Sequence, residues 1–184
     1  MENAEKIILG IDPGTRIMGY GIIGIFNKKP KLLTFGVIHL TKYTGYEMKL
    51  KKIFERVTQL IEDYLPDEMA IEAPFYGVNV QSMLKLGRAQ GVAMAAALMR
   101  EVPIVEYAPK KIKMSVTGNG NASKEQVAAM LKRLLGFEEV PEMLDATDAL
   151  GVALCHYFHG NVTQQRGDNK SWSSFIKENP DRVK

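Results

Sequence analysis

Residues 7–25, IILGIDPGTRIMGYGIIGI, set two isoleucine-rich runs on either side of an Asp-Pro-Gly turn. β-Branched residues suit a pleated, half-buried surface, so KIILGID (6–12) reads as a buried strand and YGIIGIF (20–26) as a second. Asp12 closes the first strand. Taken alone it is compatible with three roles: a phosphate-loop residue, a metal ligand or a turn former.

Working outward, NKKPK reads as a turn punctuated by Pro30, and LLTFGVIHL (32–40) as a third strand. Three strands joined by two short connections predict an antiparallel meander. The period then changes. In YEMKLKKIFERVTQLIEDYL (46–65), Met48, Leu50, Ile53, Val57, Leu60, Ile61 and Leu65 recur at helical spacing, with charges on the other face. EMAIEA (68–73) is a short strand ended by Pro74. SMLKLGRAQGVAMAAALMR (82–100) is a second helix, rich in Gly and Ala, and PIVEYA (103–108) is a fifth strand. PKKIKMSVTGNGNA reads as a basic, Gly-Asn-rich loop. Ser123 and Gln126 form a capping-box pattern opening a third helix, which Gly136 stops; a fourth runs from about Asp145 to Phe158.

The order β-β-β-α-β-α-β-α-α predicts an α/β fold, a mixed five-stranded sheet with helices on both faces. A single domain is expected over residues 1–160. Residues 161–184 read as a polar, mobile tail in which Trp172 and Phe175 have no assigned job.

The chain has 184 residues, 46% of them apolar and 24% charged, with a net charge of +3. That is ordinary for a soluble globular domain, and any nucleic-acid surface has to be local. A single cysteine, Cys155, excludes an intrachain disulfide and a Cys-rich zinc site; its apolar surroundings predict core packing. His39, His156 and His159 show no HExxH pattern, and the His156/His159 pair is expected at the surface. The start, MENAEK, is polar, and no run approaches the ~18 apolar residues of a membrane span. A cytoplasmic protein without a membrane partner is expected.

Asp12 and Glu72 both close strands, and parallel neighbours in such a sheet would present both acids at one rim. Asp145 and Asp148 share a helix face at i,i+3 spacing. Individually these acids read as turn and cap residues. Gathered from three distant elements, they would repel one another, and burying them without a counter-ion costs several kcal/mol. Divalent metal resolves the conflict: hard oxygen donors suit Mg²⁺ or Mn²⁺, and two such ions serve phosphodiester displacement.

Four blocks, GIDPGTRIMGYGI, AIEAPFYGVNVQSMLKLGRAQGV, EYAPKKIKMSVTGNGNASKEQV and DATDALGVALCH, resemble in order and spacing the RuvC-type Holliday-junction resolvases, over about residues 6–160. The resemblance implies an RNase H-like fold and a homodimeric endonuclease cutting two opposed strands of a four-way DNA junction in recombination and repair. It implies Mg²⁺ (or Mn²⁺) as cofactor, one or two ions per subunit, and the RuvA–RuvB branch-migration complex as partner. Asp12, Glu72, Asp145 and Asp148 fall on the family's metal-binding carboxylates. Lys113 and Lys124 fall on positions that supply positive charge near the scissile phosphate. Phe75, with Tyr76 beside it, falls where an aromatic contacts unstacked bases. The partner subunit is expected on the helix over 82–100.

Basic residues on segments expected to face DNA are Lys28, Lys29 and Lys31 at a hairpin, Lys85 and Arg88 on the second helix, and Lys110 and Lys111 in the loop. Gly118 and Gly120 permit close approach of backbone to a phosphate. Two alternatives stand beside the nuclease: a catalytically silent junction-binding module, and an actin-like nucleotide-binding protein, whose first phosphate loop GIDPGT resembles. The latter is expected to need a second domain and a second phosphate loop, and these 184 residues show no second copy of the motif.

Overall fold

In the computed structural model, β1 (Lys6–Asp12), β2 (Ile17–Phe26) and β3 (Lys29–His39) form the expected antiparallel meander. The structure describes residues 4–74, 79–137 and 144–165, the last five by their backbone alone. The turn between β2 and β3 is shorter than NKKPK suggests. Asn27 and Lys28 supply it, with φ of 49° and 60°, the left-handed geometry that matches strand twist in tight hairpins. Pro30 therefore lies within β3. It is tolerated there because β3 is an edge strand.

Helix α1 (Tyr46–Tyr64) returns the chain to β4 (Glu68–Glu72), which pairs parallel to β1; α2 (Val80–Leu98) then leads to β5 (Ile104–Tyr107), parallel to β4. The sheet order is β3-β2-β1-β4-β5. The basic segment after β5 is helix α3 (Pro109–Thr117) and not the loop expected. Pro109 occupies its first turn, where a missing N–H costs nothing, and Gly118 ends it at φ 76°. α4 (Lys124–Leu135) begins with the capping box of Ser123 and Gln126 and ends at Gly136, as the sequence predicts. α5 (Leu144–Gln165) completes an order with five helices among the described residues, one more than expected.

Strand alternation sorts the core into two layers. Leu9, Ile11, Met69 and Ile71 face α1 and α2, where they pack with Ile53, Val57, Leu60, Ala93 and Ala97. Ile8 and Ala70 face the other way, against Ile112, Val127, Leu131, Val152 and Ala153 of α3, α4 and α5. Each fully buried Leu or Ile contributes roughly 1.5–3 kcal/mol. Gly10 and Asp12 belong to the second face by the same alternation, as do Ala70 and Glu72.

α5 lies on that face at backbone distance. A Cβ on Gly10 would stand 2.2 Å from the Ala149 carbonyl oxygen, and one on Gly19 would stand 2.0 Å from that of Asp145. The absence of side chains at these strand positions seats the start of α5 against β1 and β2.

Candidate active site at the rim of the sheet

The parallel pairing of Ile11 with Ile71 leaves Asp12 and Glu72 as the next residues on neighbouring strands, both on the face that α5 covers. From the opposite side, the first turns of α5 bring Asp145 and Asp148. Carboxylate oxygens of Asp12, Asp145 and Asp148 lie within 4.8 Å of one another. Asp12, Glu72 and Asp148 share a cleft of about 290 Å³ with Lys113 and Lys124, walled by Pro109, Ile112 and Val127. The four acids form two overlapping sets, with Asp12 and Asp148 common to both.

The electrostatics show the strain of this gathering. Burial, then the charges of Glu72 and Asp148, hold the Asp12 carboxyl well above the ordinary range, against the pull of Lys124. Glu72 is pushed up to about 7, by burial first and Asp148 second, while Lys124 and Lys113 draw it back. Asp148 is raised by burial despite its hydrogen bond from Lys124. The Lys124 ammonium lies 2.5 Å from Asp148 Oδ2 and 3.3 Å from Asp145 Oδ1. Burial lowers the Lys124 pKa, but the bond to Asp148 and the fields of both aspartates outweigh it, so the side chain stays firmly cationic. Two ammonium groups, only one of them paired with the acids, thus lie among four carboxylates, an imbalance that suits a hard divalent ion.

Lys113 lines the same cleft from α3, placed there by a helix where a loop is expected. Lys110 and Lys111 are exposed on α3, with the Lys111 ammonium 4.9 Å from the centre of the Tyr107 ring. Gly118 leaves open space at its α-carbon, whereas Gly120 is buried against the Lys110 side chain, 2.8 Å from where a Cβ would be. Packing alone therefore accounts for a glycine at 120. Lys85 and Arg88 are exposed on α2, on the opposite layer from Lys110 and Lys111. Phe75 and Tyr76 lie outside the described residues, as do Trp172 and Phe175.

Sequence reasoning missed two groups. Gln90, 6% exposed, donates from Nε2 to Glu106 Oε2 at 2.8 Å and to the Glu72 carbonyl at 3.4 Å, tying α2 to the strand end that carries Glu72. His156, expected at the surface, is buried. Its Nδ1 lies 2.8 Å from the Tyr107 hydroxyl, and its Nε2 bonds the Glu68 carboxylate, which also pairs with Lys6 at 2.6 Å. Cys155 is in the core as expected. No helix among the described residues is long and apolar enough to cross a membrane.

A mixed five-stranded sheet, helices on both faces and a carboxylate cluster at the ends of two parallel strands define an RNase H-like protein with an acidic centre. The family model described as "Crossover junction endodeoxyribonuclease RuvC" matches residues 8–156, and the chain belongs to that family. Crossover junction endodeoxyribonuclease RuvC of Cytophaga hutchinsonii is 67% identical over 181 residues, covering 98% of this chain and 89% of that protein. The Bacteroides fragilis protein of the same name is 59% identical over 98% of this chain and 97% of its own. Among solved structures, Thermus thermophilus RuvC in complex with a Holliday junction substrate superposes with a TM-score of 0.80 at 30% identity, covering 86% of this chain and 97% of that one.

Proposed function

We propose that the chain is a divalent-metal-dependent endonuclease that resolves four-way DNA junctions in recombination and repair, cutting two opposed strands symmetrically as a homodimer. The observation that carries the reading is the convergence of Asp12, Glu72, Asp145 and Asp148 beside Lys113 and Lys124, in a chain of the RuvC family.

Asp12, Glu72, Asp145 and Asp148 would hold one or two Mg²⁺ ions, with Mn²⁺ as a substitute; the two overlapping acid sets favour two. Bound there, such ions polarise the phosphate, activate water and stabilise the leaving oxygen. The protein's own groups do the rest. β1 and β4 fix Asp12 and Glu72 on rigid strand ends, and α5 fixes the two aspartates opposite. Lys113 and Lys124 place positive charge in the cleft, where charge builds on the phosphate as water adds and a P–O ester bond breaks. Lys110, Lys111 and Gly118 on one side, and Lys85 and Arg88 on the other, extend the surface toward phosphates, and by the family resemblance Phe75 or Tyr76 would contact unstacked bases.

α2 supports the dimer. Ala89, Ala93, Ala96 and Ala97 face the sheet, while Leu84, Gly87, Gly91 and Leu98 form an outward apolar stripe, and a Cβ added at either glycine would meet open space. A second copy across a two-fold axis would cover that stripe and supply the second cut. By family resemblance the branch-migration partners are RuvA and RuvB, and the working compartment is the cytoplasm.

The test is to incubate the protein and Asp12→Asn with Mg²⁺ and a synthetic four-way junction, a linear duplex or ATP. Paired symmetrical nicks in the junction alone, absent in the variant, are expected. Tight metal-independent binding without cutting would favour a silent junction-binding module. ATP turnover with the junction intact would favour the actin-like reading.

A further inference from the structure

A second cavity, of about 310 Å³, opens where the β1–β2 connection meets the first turns of α1, on the layer opposite α3 and α4. Thr15, Arg16, Tyr43, Gly45, Tyr46, Lys49 and Lys85 line it. Three cations and no carboxylate line this one space, in a chain whose net charge is only +3. Among the described residues Arg16, Lys49 and Lys85 form no ion pair. The Glu47 carboxylate turns toward Gly45 from outside the lining, 3.4 Å from where a Cβ would be.

The lining also says what kind of group fits. The Tyr46 hydroxyl donates to the Lys85 carbonyl, which clips α2 to α1 and sets the position of Lys85. The Tyr43 ring already has the Lys42 ammonium 5.7 Å from its centre. What remains is a concave set of donors: a guanidinium, two ammonium groups and the Thr15 hydroxyl. Such a set matches an anion that only accepts hydrogen bonds.

Chain length limits how far the Thr15 edge of this cavity is from Asp12. Thr15 is three residues after Asp12, so their α-carbons are at most about 11 Å apart. One strand of a duplex places a phosphate every ~3.4 Å of axial rise, so the span corresponds to about three nucleotides at most. We propose that this cavity seats a non-scissile phosphodiester of the cut strand, one to three nucleotides from the bond held at Asp12, so that the strand is gripped on both layers of the sheet rim. The assignment rests on the nuclease reading above and adds a binding site to it.

The test measures junction binding by fluorescence anisotropy in Ca²⁺ across about 50–200 mM salt. It compares wild type with Arg16→Gln, Lys49→Gln and the double variant. Each junction is prepared with one neutral methylphosphonate at successive positions from the cut site, and thermal unfolding verifies that each variant is folded. The double variant is expected to lower the slope of log affinity against log salt by about 1–2. One methylphosphonate position within three nucleotides should weaken the wild type but leave the double variant unaffected. The single variants should show part of that insensitivity, so the outcome does not depend on the double variant folding. An unchanged salt slope, or equal losses in wild type and variants at every position, overturns the assignment while junction cutting by the wild type leaves the nuclease reading intact. A wild type that neither binds nor cuts the junction overturns both.

Discussion

Replacing Glu72 with glutamine should make the metal-free protein more stable, not less, and only above a definite pH. In the folded chain the Glu72 carboxyl is pushed up from 4.5 to about 7, by burial and then by Asp148. Between those values the unfolded chain has released the proton that the folded chain still holds. Stability of the wild type therefore falls as pH rises through this window, by about 1.36 kcal/mol per pH unit. Over the interval this comes to roughly 3 kcal/mol at full development above pH 7. Glutamine keeps the shape and cannot ionise, so Glu72→Gln escapes the loss. The assay is urea denaturation in EDTA from pH 4 to 9. The two proteins should coincide below about pH 4.5 and diverge to roughly 3 kcal/mol by pH 8. Mg²⁺ should then reverse the order once it is at about a thousandfold excess over its Kd, where it adds about 4.1 kcal/mol to the protein that binds it. Equal urea midpoints at pH 8 without metal would refute the idea that crowded, buried carboxylates set the stability of this site.

Three further outcomes are expected. Gly19→Ala should push the start of α5 off the sheet, since its Cβ would stand 2.0 Å from the Asp145 carbonyl oxygen. A cost of about 1–3 kcal/mol, read as a melting point lower by about 2–4 °C per kcal/mol, should accompany loss of cleavage. Lys124→Gln should slow junction cleavage by about 10²-fold or more while binding changes little, because the ammonium is held by Asp145 and Asp148 inside the cleft; single-turnover rates beside binding curves separate the two. Gly91→Glu should leave the fold intact, there being nothing within 4 Å of the new Cβ, yet yield a monomer in light scattering if α2 is the dimer face.

The sheet and its acids were legible because they depend on local signals. Apolar runs ended by Asp12 and Glu72, and the i,i+3 pair Asp145 and Asp148, are patterns that a strand end and a helix turn impose directly. α3 was not legible, since only Ile112 and Val116 are buried in it and the remaining positions are largely basic or polar. Its real signal was Pro109 followed by that i,i+4 pair. His156 could not be placed from the sequence, because Tyr107 and Glu68 lie 49 and 88 residues away and only the folded topology brings them together. Gln90 escaped notice for the same reason: its partners lie on β4 and β5, the strands on either side of α2 in the sequence. The contacts of Gly10 and Gly19 were not read from the sequence, although glycine inside a strand is a signal for close approach of another backbone.

Those two glycines have a consequence for how the site tolerates change. α5 comes closest to β1 and β2 where its carbonyls at Ala149 and Asp145 face Gly10 and Gly19, and no Cβ has room at either strand position. Exchanging one aliphatic residue for another around α5 should therefore change packing energy more than it changes the separation of Asp12 from Asp145 and Asp148. The tolerance of the acid centre is thus concentrated at two positions without side chains, which act as a gauge block: the surrounding core can drift in composition while the distance that matters to the ions is held by the polypeptide backbone itself.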